Sequence, residues 1–207
     1  MGGASGTRKV GPVTRPEPAD EITGYAFAAG RGDSAAAAAF VRATQHDVRR
    51  FLVHLSGARE VDDLVQETYL RAWRSLPGFA GRSSARTWLF AIARRVAVDH
   101  VRAAVARPRT TGVADWYRFA DAAGAPAASA PDGEVTLWGL VDDLVPERRE
   151  AFVATQVLGL SYAEAARVCG CPIGTIRSRV ARAREDLVAA LAAPAAGPAP
   201  QRQRGVG

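Results

Sequence analysis

Cysteine, lysine and methionine are scarce in this chain, and long apolar runs are missing. The 207 residues include two cysteines, one methionine and a single lysine, Lys9. Cys169 and Cys171 lie too close together for an easy disulfide, and no second Cys or His pair follows at zinc-ligand spacing. We therefore expect both thiols to be reduced and structural, with no metal and no other cofactor. No stretch approaches about 18 consecutive apolar residues, and the N-terminal residues contain no signal-peptide segment, so we expect a cytoplasmic protein without a membrane association.

Arginine supplies almost all of the positive charge. Of the 27 basic residues 26 are arginine, and they oppose 21 acidic residues to give a net charge of +6. The guanidinium group is planar and presents forked donors that suit phosphate groups and base edges. Nucleic acid is therefore the first partner to consider, although a GC-rich genome would produce the same bias and composition alone does not separate the two explanations.

Three segments of biased composition divide the chain into two units. Residues 1–19 and 193–207 are rich in glycine, proline and small residues, so we predict disordered tails. Residues 106–133 contain three prolines among alanines and glycines, which predicts a flexible linker. The units that remain, residues 20–105 and 134–192, are each predicted to be a small helical domain. The linker also carries the aromatic run 116–119, which we expect to dock on the protein.

The first unit lacks strand signals, and its apolar periodicity predicts all-α structure. Helices are expected at Ser34–Ala43, Gln45–Leu55, Val61–Leu76 and Ser84–Val101. In the third helix a buried stripe is formed by Val61, Leu64, Val65, Thr68 and Ala72. Acidic and polar residues occupy its other face. Pro77 and Gly78 end this helix, and Ser84 is a suitable N-cap for the next, whose core residues are expected to be Trp88, Leu89, Ile92, Val96 and Val101.

The second unit ends in a helix-turn-helix pattern. Ser161 and Glu164 form a capping box, Gly170 gives a turn, and Pro172 precedes a helix from about Ile173 to Leu191. On that helix one buried stripe is predicted for Ile173, Ile176, Val180, Ala183 and Leu187. The opposite and flanking positions carry four arginines with Thr175 and Ser178. This face is an array of hydrogen-bond donors.

The positive charge is concentrated in two places. Residues 79–109 hold seven arginines and one aspartate, residues 173–184 hold four arginines and no acid, and the linker between them is acidic. Phosphate contacts give affinity for any nucleic acid, whereas a helix in the major groove reads bases. The second unit fits duplex reading. The first basic region is interleaved with aromatics, which favours the holding of unstacked bases, although Trp88 and Phe90 are also plausible core residues.

The segments DDLVQETYLRAWRSL and FAGRSSARTWLFAIARRVAVDHVR resemble region 2 of bacterial RNA polymerase sigma factors of the extracytoplasmic-function (ECF) type. LSYAEAARVCGCPIGTIRSRVARAR resembles region 4 of the same family. Both motifs stand in the family's order. The similarity extends to the actinobacterial sigma factor C group.

The resemblance implies three binding surfaces and no catalytic site. The clamp helices of the largest polymerase subunit would be contacted by five residues of this chain: Asp62, Asp63, Gln66, Glu67 and Arg71. The minus-ten element would contact Phe79, Arg82, Ser83, Ser84, Arg86, Trp88, Arg94, Arg95, Asp99 and Arg102, with a base captured by the loop 78–84. The minus-thirty-five element would contact Thr175, Arg177, Ser178, Arg179, Arg182 and Arg184.

Further partners follow from the same resemblance. The second unit would bind the flap of the second-largest polymerase subunit, and the linker would thread through the polymerase. An anti-sigma factor is a candidate partner, and in the free chain the two units could instead pack on each other.

Two other function classes compete with this interpretation. A stand-alone LuxR-like regulator would explain the helix-turn-helix but not the acidic helix. An enzyme would need a nucleophile or metal carboxylates in a pocket, whereas Asp62 and Asp63 are adjacent on one exposed helix face. We therefore expect no enzymatic activity.

Overall fold

The computed structural model describes residues 18–57, 59–106 and 137–192, and every regular element in these ranges is helical. The helices are α1 (Pro18–Gly30), α2 (Ser34–Ser56), α3 (Val61–Ser75), α4 (Ala85–Ala106), α5 (Leu137–Asp142), α6 (Pro146–Phe152), α7 (Tyr162–Cys169) and α8 (Ile173–Ala192). The predicted all-α class is confirmed. Most of the predicted tails and linker, including the aromatic run 116–119, lies outside the described residues.

Helix α2 is one continuous helix, so the prediction of two helices split at residue 44 is wrong. Its start is capped by Asp33, whose carboxylate accepts hydrogen bonds from Ala35 N and Ala36 N. Thr44 does not interrupt it because its hydroxyl donates to the Phe40 carbonyl one turn back, at 2.7 Å, and is buried. The chain leaves α2 at Gly57, which has a positive φ of 80°.

Helices α2, α3 and α4 build the core of the first unit. A short 3₁₀ turn (Leu76–Gly78) follows α3, and Ser84 caps α4 by accepting a hydrogen bond from Thr87 N at 3.2 Å. The largest fully buried side chains here are Phe40, Phe51, Leu52, Leu89 and Phe90. Val101 was predicted to join them but is 45% exposed, because it lies near the end of α4, at a cleft between the two units.

Helix α1 is present in the structure but was not predicted from the sequence. Its apolar residues are not confined to one face, and the residue it buries most deeply is the small Ala26. α1 packs mainly on α2 and also touches α4 and the 3₁₀ turn. The first unit is thus a four-helix arrangement.

The second unit contains the predicted helix-turn-helix. Ser161 and Glu164 form both hydrogen bonds of the capping box at the start of α7, and Gly170 ends it in the left-handed conformation at φ 64°. A wide π turn (Val153–Val157) extends α6 towards α7. On α8 the buried residues are Ile176, Val180, Ala183 and Leu187. Ile173 was predicted to be part of this stripe but is 42% exposed, because it opens the first turn of α8, directly after the connection from α7.

The two units pack against each other. α4 lies on α7, and α2 lies on α6, so that the buried apolar residues of both units form one continuous cluster. This arrangement places the first turns of α4 beneath the second unit.

Candidate polymerase and promoter interfaces

The exposed face of α3 carries the predicted polymerase-binding residues. Asp62, Asp63 and Gln66 are exposed at its N-terminal end. Asp62 is paired with Arg49 of α2. The buried stripe on the opposite side holds this face outward, and Leu70, 42% exposed, adds an apolar contact point to it.

Glu67 and Arg71 are more constrained than the rest of this set. Arg71 donates to Glu67 at 2.7 Å and to Asp99 of α4, also at 2.7 Å. These two hydrogen bonds, the one to Asp99 first, raise the pKa of Arg71. Asp99 was predicted as a minus-ten residue, and it is therefore engaged with α3 and not isolated on α4.

The loop between α3 and α4 brings together the aromatic and polar residues predicted to capture a base. Phe79 lies with its ring centroid 5.0 Å from that of Trp88 in the first turn of α4. Arg82 is exposed, and Ser83 and Ser84 are half-buried. Phe79 and Trp88 are both half-buried, so each packs on the core and remains partly exposed to solvent. Phe90 points inward and is wholly a core residue.

The start of α4 is bound by the second unit through Glu164. This carboxylate accepts hydrogen bonds from Thr87 Oγ1 at 3.1 Å and Ser84 Oγ at 3.4 Å, in addition to its capping bonds with Ser161. Burial raises the pKa of Glu164, but the hydrogen bonds from Ser161, Thr87 and Ser84 outweigh it and lower the pKa overall. Glu164 therefore both caps α7 and ties it to α4.

Arg86 forms a second bridge between the units. One of its guanidinium nitrogens contacts Asp47 of α2 at 2.7 Å and the Leu158 carbonyl of the second unit at 2.6 Å. Its guanidinium carbon also lies 5.2 Å from the centroid of the Phe90 ring. In this arrangement the donors of Arg86 face protein.

Arg94 forms a third bridge, a forked ion pair with Glu150 of α6. The Glu150 side chain is only 10% exposed. Burial lowers the pKa of Arg94, but the hydrogen bond and the charge of Glu150 outweigh it, and the pKa is raised. Arg95 and Arg102, by contrast, are exposed on α4. The predicted minus-ten residues are therefore split between an exposed set and a set held by the second unit.

A polar cluster closes the other end of the interface. His54 Nδ1 lies 2.7 Å from Asp142 Oδ1, and its ring stacks at 5.3 Å on Trp138, which also receives the Arg50 guanidinium at 4.9 Å. Arg149 donates to the His54 carbonyl at 3.2 Å. Between this cluster and the Arg94 pair lies a cleft of about 360 Å³. The interface thus has polar anchors along its length.

The outward face of α8 carries the predicted minus-thirty-five residues. Arg177, Ser178, Arg182 and Arg184 are exposed, and Thr175 and Arg179 are half-buried. Arg184 donates to Gln156 at 2.8 Å. This face lies opposite the buried stripe and is not covered by the first unit, so most of its donors point to solvent.

The two cysteines lie beside this face. Both thiols are free, and burial is the main cause that raises the pKa of Cys169. Arg179 donates to Cys171 Sγ at 3.8 Å, so one predicted base-reading arginine packs on a half-buried thiol.

Sequence reasoning missed the acidic partners of the basic α4 face. Glu164 was predicted only as a helix cap, and nothing in its spacing indicates a bond to residues 77 and 80 positions away. Asp47 and Glu150, the other acidic partners of α4, carried no motif, and neither did Asp142, which contacts His54 of α2. Within the described ranges there is no group of three or more His, Cys, Asp or Glu residues placed to hold a metal ion. In the same part of the chain no helix has the length and apolarity needed to cross a membrane.

Together, an acidic helix face, a basic-aromatic loop and an arginine-rich helix-turn-helix define a two-unit promoter-binding transcription factor. Comparison with known proteins makes this class specific. The model of sigma-70 region 2 matches residues 40–107, and that of sigma-70 region 4 matches residues 135–187.

Curated relatives and solved structures agree with the family models. The chain is 51% identical over 170 residues to the probable RNA polymerase sigma-C factor of Mycobacterium bovis and, equally, to the ECF RNA polymerase sigma factor SigC of Mycobacterium tuberculosis. Each match covers 82% of this chain and 91% of the relative. The chain belongs to the ECF family of RNA polymerase sigma factors, and the LuxR-like alternative finds no support.

Two solved structures have similar folds. CnrH, in complex with the cytosolic domain of CnrY, aligns with a TM-score of 0.60 at 27% identity, over 84% of this chain and 97% of that one. RpoE from Bartonella quintana, in complex with the anti-sigma factor NepR, aligns with a TM-score of 0.55 at 30% identity, over 73% of this chain and 93% of that one.

Proposed function

We propose that this sigma factor divides its work among three surfaces. The acidic face of α3 binds core RNA polymerase at the clamp helices of the largest subunit. The α3–α4 loop and the outer face of α4 hold the melted minus-ten strand, and α8 reads the minus-thirty-five element as duplex. The second unit also contacts the flap of the second-largest subunit, and the linker runs through the polymerase between them.

The proposal for α3 is supported by charge. Asp62, Asp63 and Gln66 form an exposed acidic and polar face on a chain with a net charge of +6. Such a face would be repelled by DNA phosphates, so a protein partner suits it better than a nucleic acid.

The proposal for the minus-ten surface is supported by the combination of rings and cations. Phe79 and Trp88 are partly exposed rings on which an unstacked base could stack, and Arg82, Arg95 and Arg102 are exposed on the loop and α4, where they could bind phosphates. Arg86 and Arg94 join this surface when the second unit moves away from α4. Ser83, Ser84 and Asp99 complete the set of polar contacts.

The geometry of α8 carries the proposal for the minus-thirty-five element and is its single strongest support. The stripe from Ile176 to Leu187 is buried, so Thr175, Ser178 and Arg182 project from roughly the opposite side of the second helix of a helix-turn-helix. A forked guanidinium can bond a guanine edge with two hydrogen bonds. Arg177, Arg179 and Arg184 flank these positions.

We also propose that the chain has no catalytic activity and acts in the cytoplasm, where core polymerase and the chromosome are. An anti-sigma factor is a second candidate partner, since the solved relative from Bartonella quintana is described in complex with one.

The test is reconstitution. Purified chain is mixed with core polymerase that lacks any other sigma factor, and run-off transcription is measured on a promoter library. We expect the chain to co-purify with core polymerase and to start transcription at a defined class of promoter. Tight sequence-specific promoter binding by the isolated chain, with no association with core polymerase, would favour a stand-alone regulator and overturn the proposal.

A further inference from the structure

Helix α1 touches the α3–α4 loop at three points, although it lies outside the matched region 2 and no role was predicted for it. At the start of the loop, a Cβ on Gly30 would lie 3.1 Å from the Leu76 carbonyl oxygen. At the end, Thr23 Oγ1 accepts a hydrogen bond from Ala85 N at 3.0 Å, so α1 supplies a cap to the first turn of α4.

The middle contact is made by Phe27. Its ring centroid lies 5.2 Å from that of Phe79, which in turn stacks on Trp88, so three elements contribute to one aromatic row. Phe27 also lies against Gly81, which has a φ of 66°, and a Cβ there would come within 2.7 Å of the Phe27 ring. The ring therefore packs on the loop backbone at a position whose positive φ favours glycine, and a Cβ there would force the ring to shift.

Phe27 is 39% exposed, so burial of its own surface explains only part of its placement. Thr23 and Phe27 are four residues apart and share one face of α1. That face follows the loop from the middle to its end. A loop without regular structure loses conformational entropy when it binds a ligand, and this loss weakens binding. The loss is smaller when neighbouring elements already hold the loop in its binding conformation.

We infer that Phe27 is a positioning residue for base capture: it holds Phe79 and the Gly81 backbone in the conformation that accepts an unstacked minus-ten base. The inference rests on the proposed role of the α3–α4 loop. Phe27 acts through Phe79 and Gly81, and the base is held by the loop itself.

The test is a double-mutant cycle in the complete holoenzyme, in which Phe27 is changed in the protein and one base is removed from the DNA. The promoter is taken from the library experiment, and the probe is its single-stranded minus-ten oligonucleotide, intact or with one abasic site at each position in turn. In the wild type, removal of the captured base should lower affinity by about five- to a hundredfold, the range for stacking one base on an aromatic side chain. With Phe27→Ala the intact oligonucleotide should bind more weakly, and the same abasic site should cost much less.

Ile22→Ala is the matched control, because Ile22 is a half-buried core residue of the same helix. It should leave the abasic response at the wild-type value. Phe27→Leu, which keeps an apolar side chain but lacks the ring atoms nearest Gly81, should restore only part of the response. Co-purification with core polymerase should be the same for all four proteins, since α3 is untouched.

Each failure has a distinct meaning. If no abasic site lowers wild-type affinity, base capture by the loop is wrong and the inference falls with it. If the wild type responds and Phe27→Ala keeps the full abasic response, base capture stands and the role of Phe27 is refuted. An equal loss of response in Ile22→Ala would also refute it, because the effect would then come from general destabilisation of α1.

Discussion

The packing of the second unit on α4 should depend on Glu150. Its side chain is 10% exposed and accepts two hydrogen bonds from Arg94, which lies on the other unit. The change Glu150→Gln keeps the shape of the side chain and removes its charge. It therefore weakens the contact without creating a large cavity.

The size of the effect follows from the charge on this hydrogen-bonded pair. In Glu150→Gln the amide oxygen still accepts one hydrogen bond from Arg94, but the NH2 group only donates, so one of two charge-assisted hydrogen bonds of about 1.5–3 kcal/mol is lost. This loss of about 1.5–3 kcal/mol corresponds to a shift of about 13- to 160-fold in the equilibrium between packed and separated units. We expect the radius of gyration of the free chain to increase.

Two measurements check this expectation. Small-angle scattering gives the radius of gyration, and titration with a single-stranded minus-ten oligonucleotide reports whether Arg86 and Arg94 have become available. The radius of gyration and the oligonucleotide affinity should both change in Glu150→Gln. Neither should change in Glu185→Gln, the control, which removes the same charge from an exposed position of α8. An unchanged radius and an unchanged affinity in Glu150→Gln, with the helices intact by circular dichroism, would refute the reasoning.

Two further predictions concern charge. Asp62→Ala combined with Asp63→Ala should weaken binding to core polymerase by about tenfold, as expected when exposed charges are lost from an interface. The control, Asp143→Ala with Glu147→Ala, should bind as the wild type does. Equal affinity of the wild type and both double variants in a pull-down would contradict the role of α3. Because the hydrogen bonds from Ser161, Thr87 and Ser84 outweigh burial and lower the pKa of Glu164, its stabilising contribution is present above the ordinary carboxyl value of 4.5 and is lost as the pH falls through the lowered pKa. The bonds from Thr87 and Ser84 are the part of this contribution that joins the two units. The units should therefore separate in acid before the helices unfold, and Glu164→Gln should reduce that pH dependence; a scattering profile independent of pH down to the unfolding transition would count against it.

Local signals predicted the parts of the fold that are determined locally. The capping box at Ser161 and Glu164, the turn at Gly170 and the stripe from Ile176 to Leu187 depend on residues within one or two helical turns of each other, and all three were predicted. The split of α2 at Thr44 was wrong because the propensity of one residue is overridden when its hydroxyl bonds to the preceding turn.

The features that sequence reasoning missed depend on distant partners. Glu150 and Asp142 reach α4 and α2 across the interface between the units, and neither carries a motif that would predict such a partner. Phe27 resembles any other apolar residue of a helix until Phe79 and Gly81 are placed beside it. Hydrophobic periodicity indicates which face of a helix is buried, but it does not indicate which residues pack against that face.

Separate reading of two promoter elements by two basic surfaces is the central claim, and run-off transcription on a matched promoter set tests it most directly. The set contains the intact promoter, one with an altered minus-thirty-five element and one with an altered minus-ten element. Arg182→Ala should cost about 1–3 kcal/mol on the intact promoter and reduce discrimination at the minus-thirty-five element, while discrimination at the minus-ten element stays at the wild-type level. Undiminished discrimination at the minus-thirty-five element in Arg182→Ala, or an equal loss at both elements, would contradict the account.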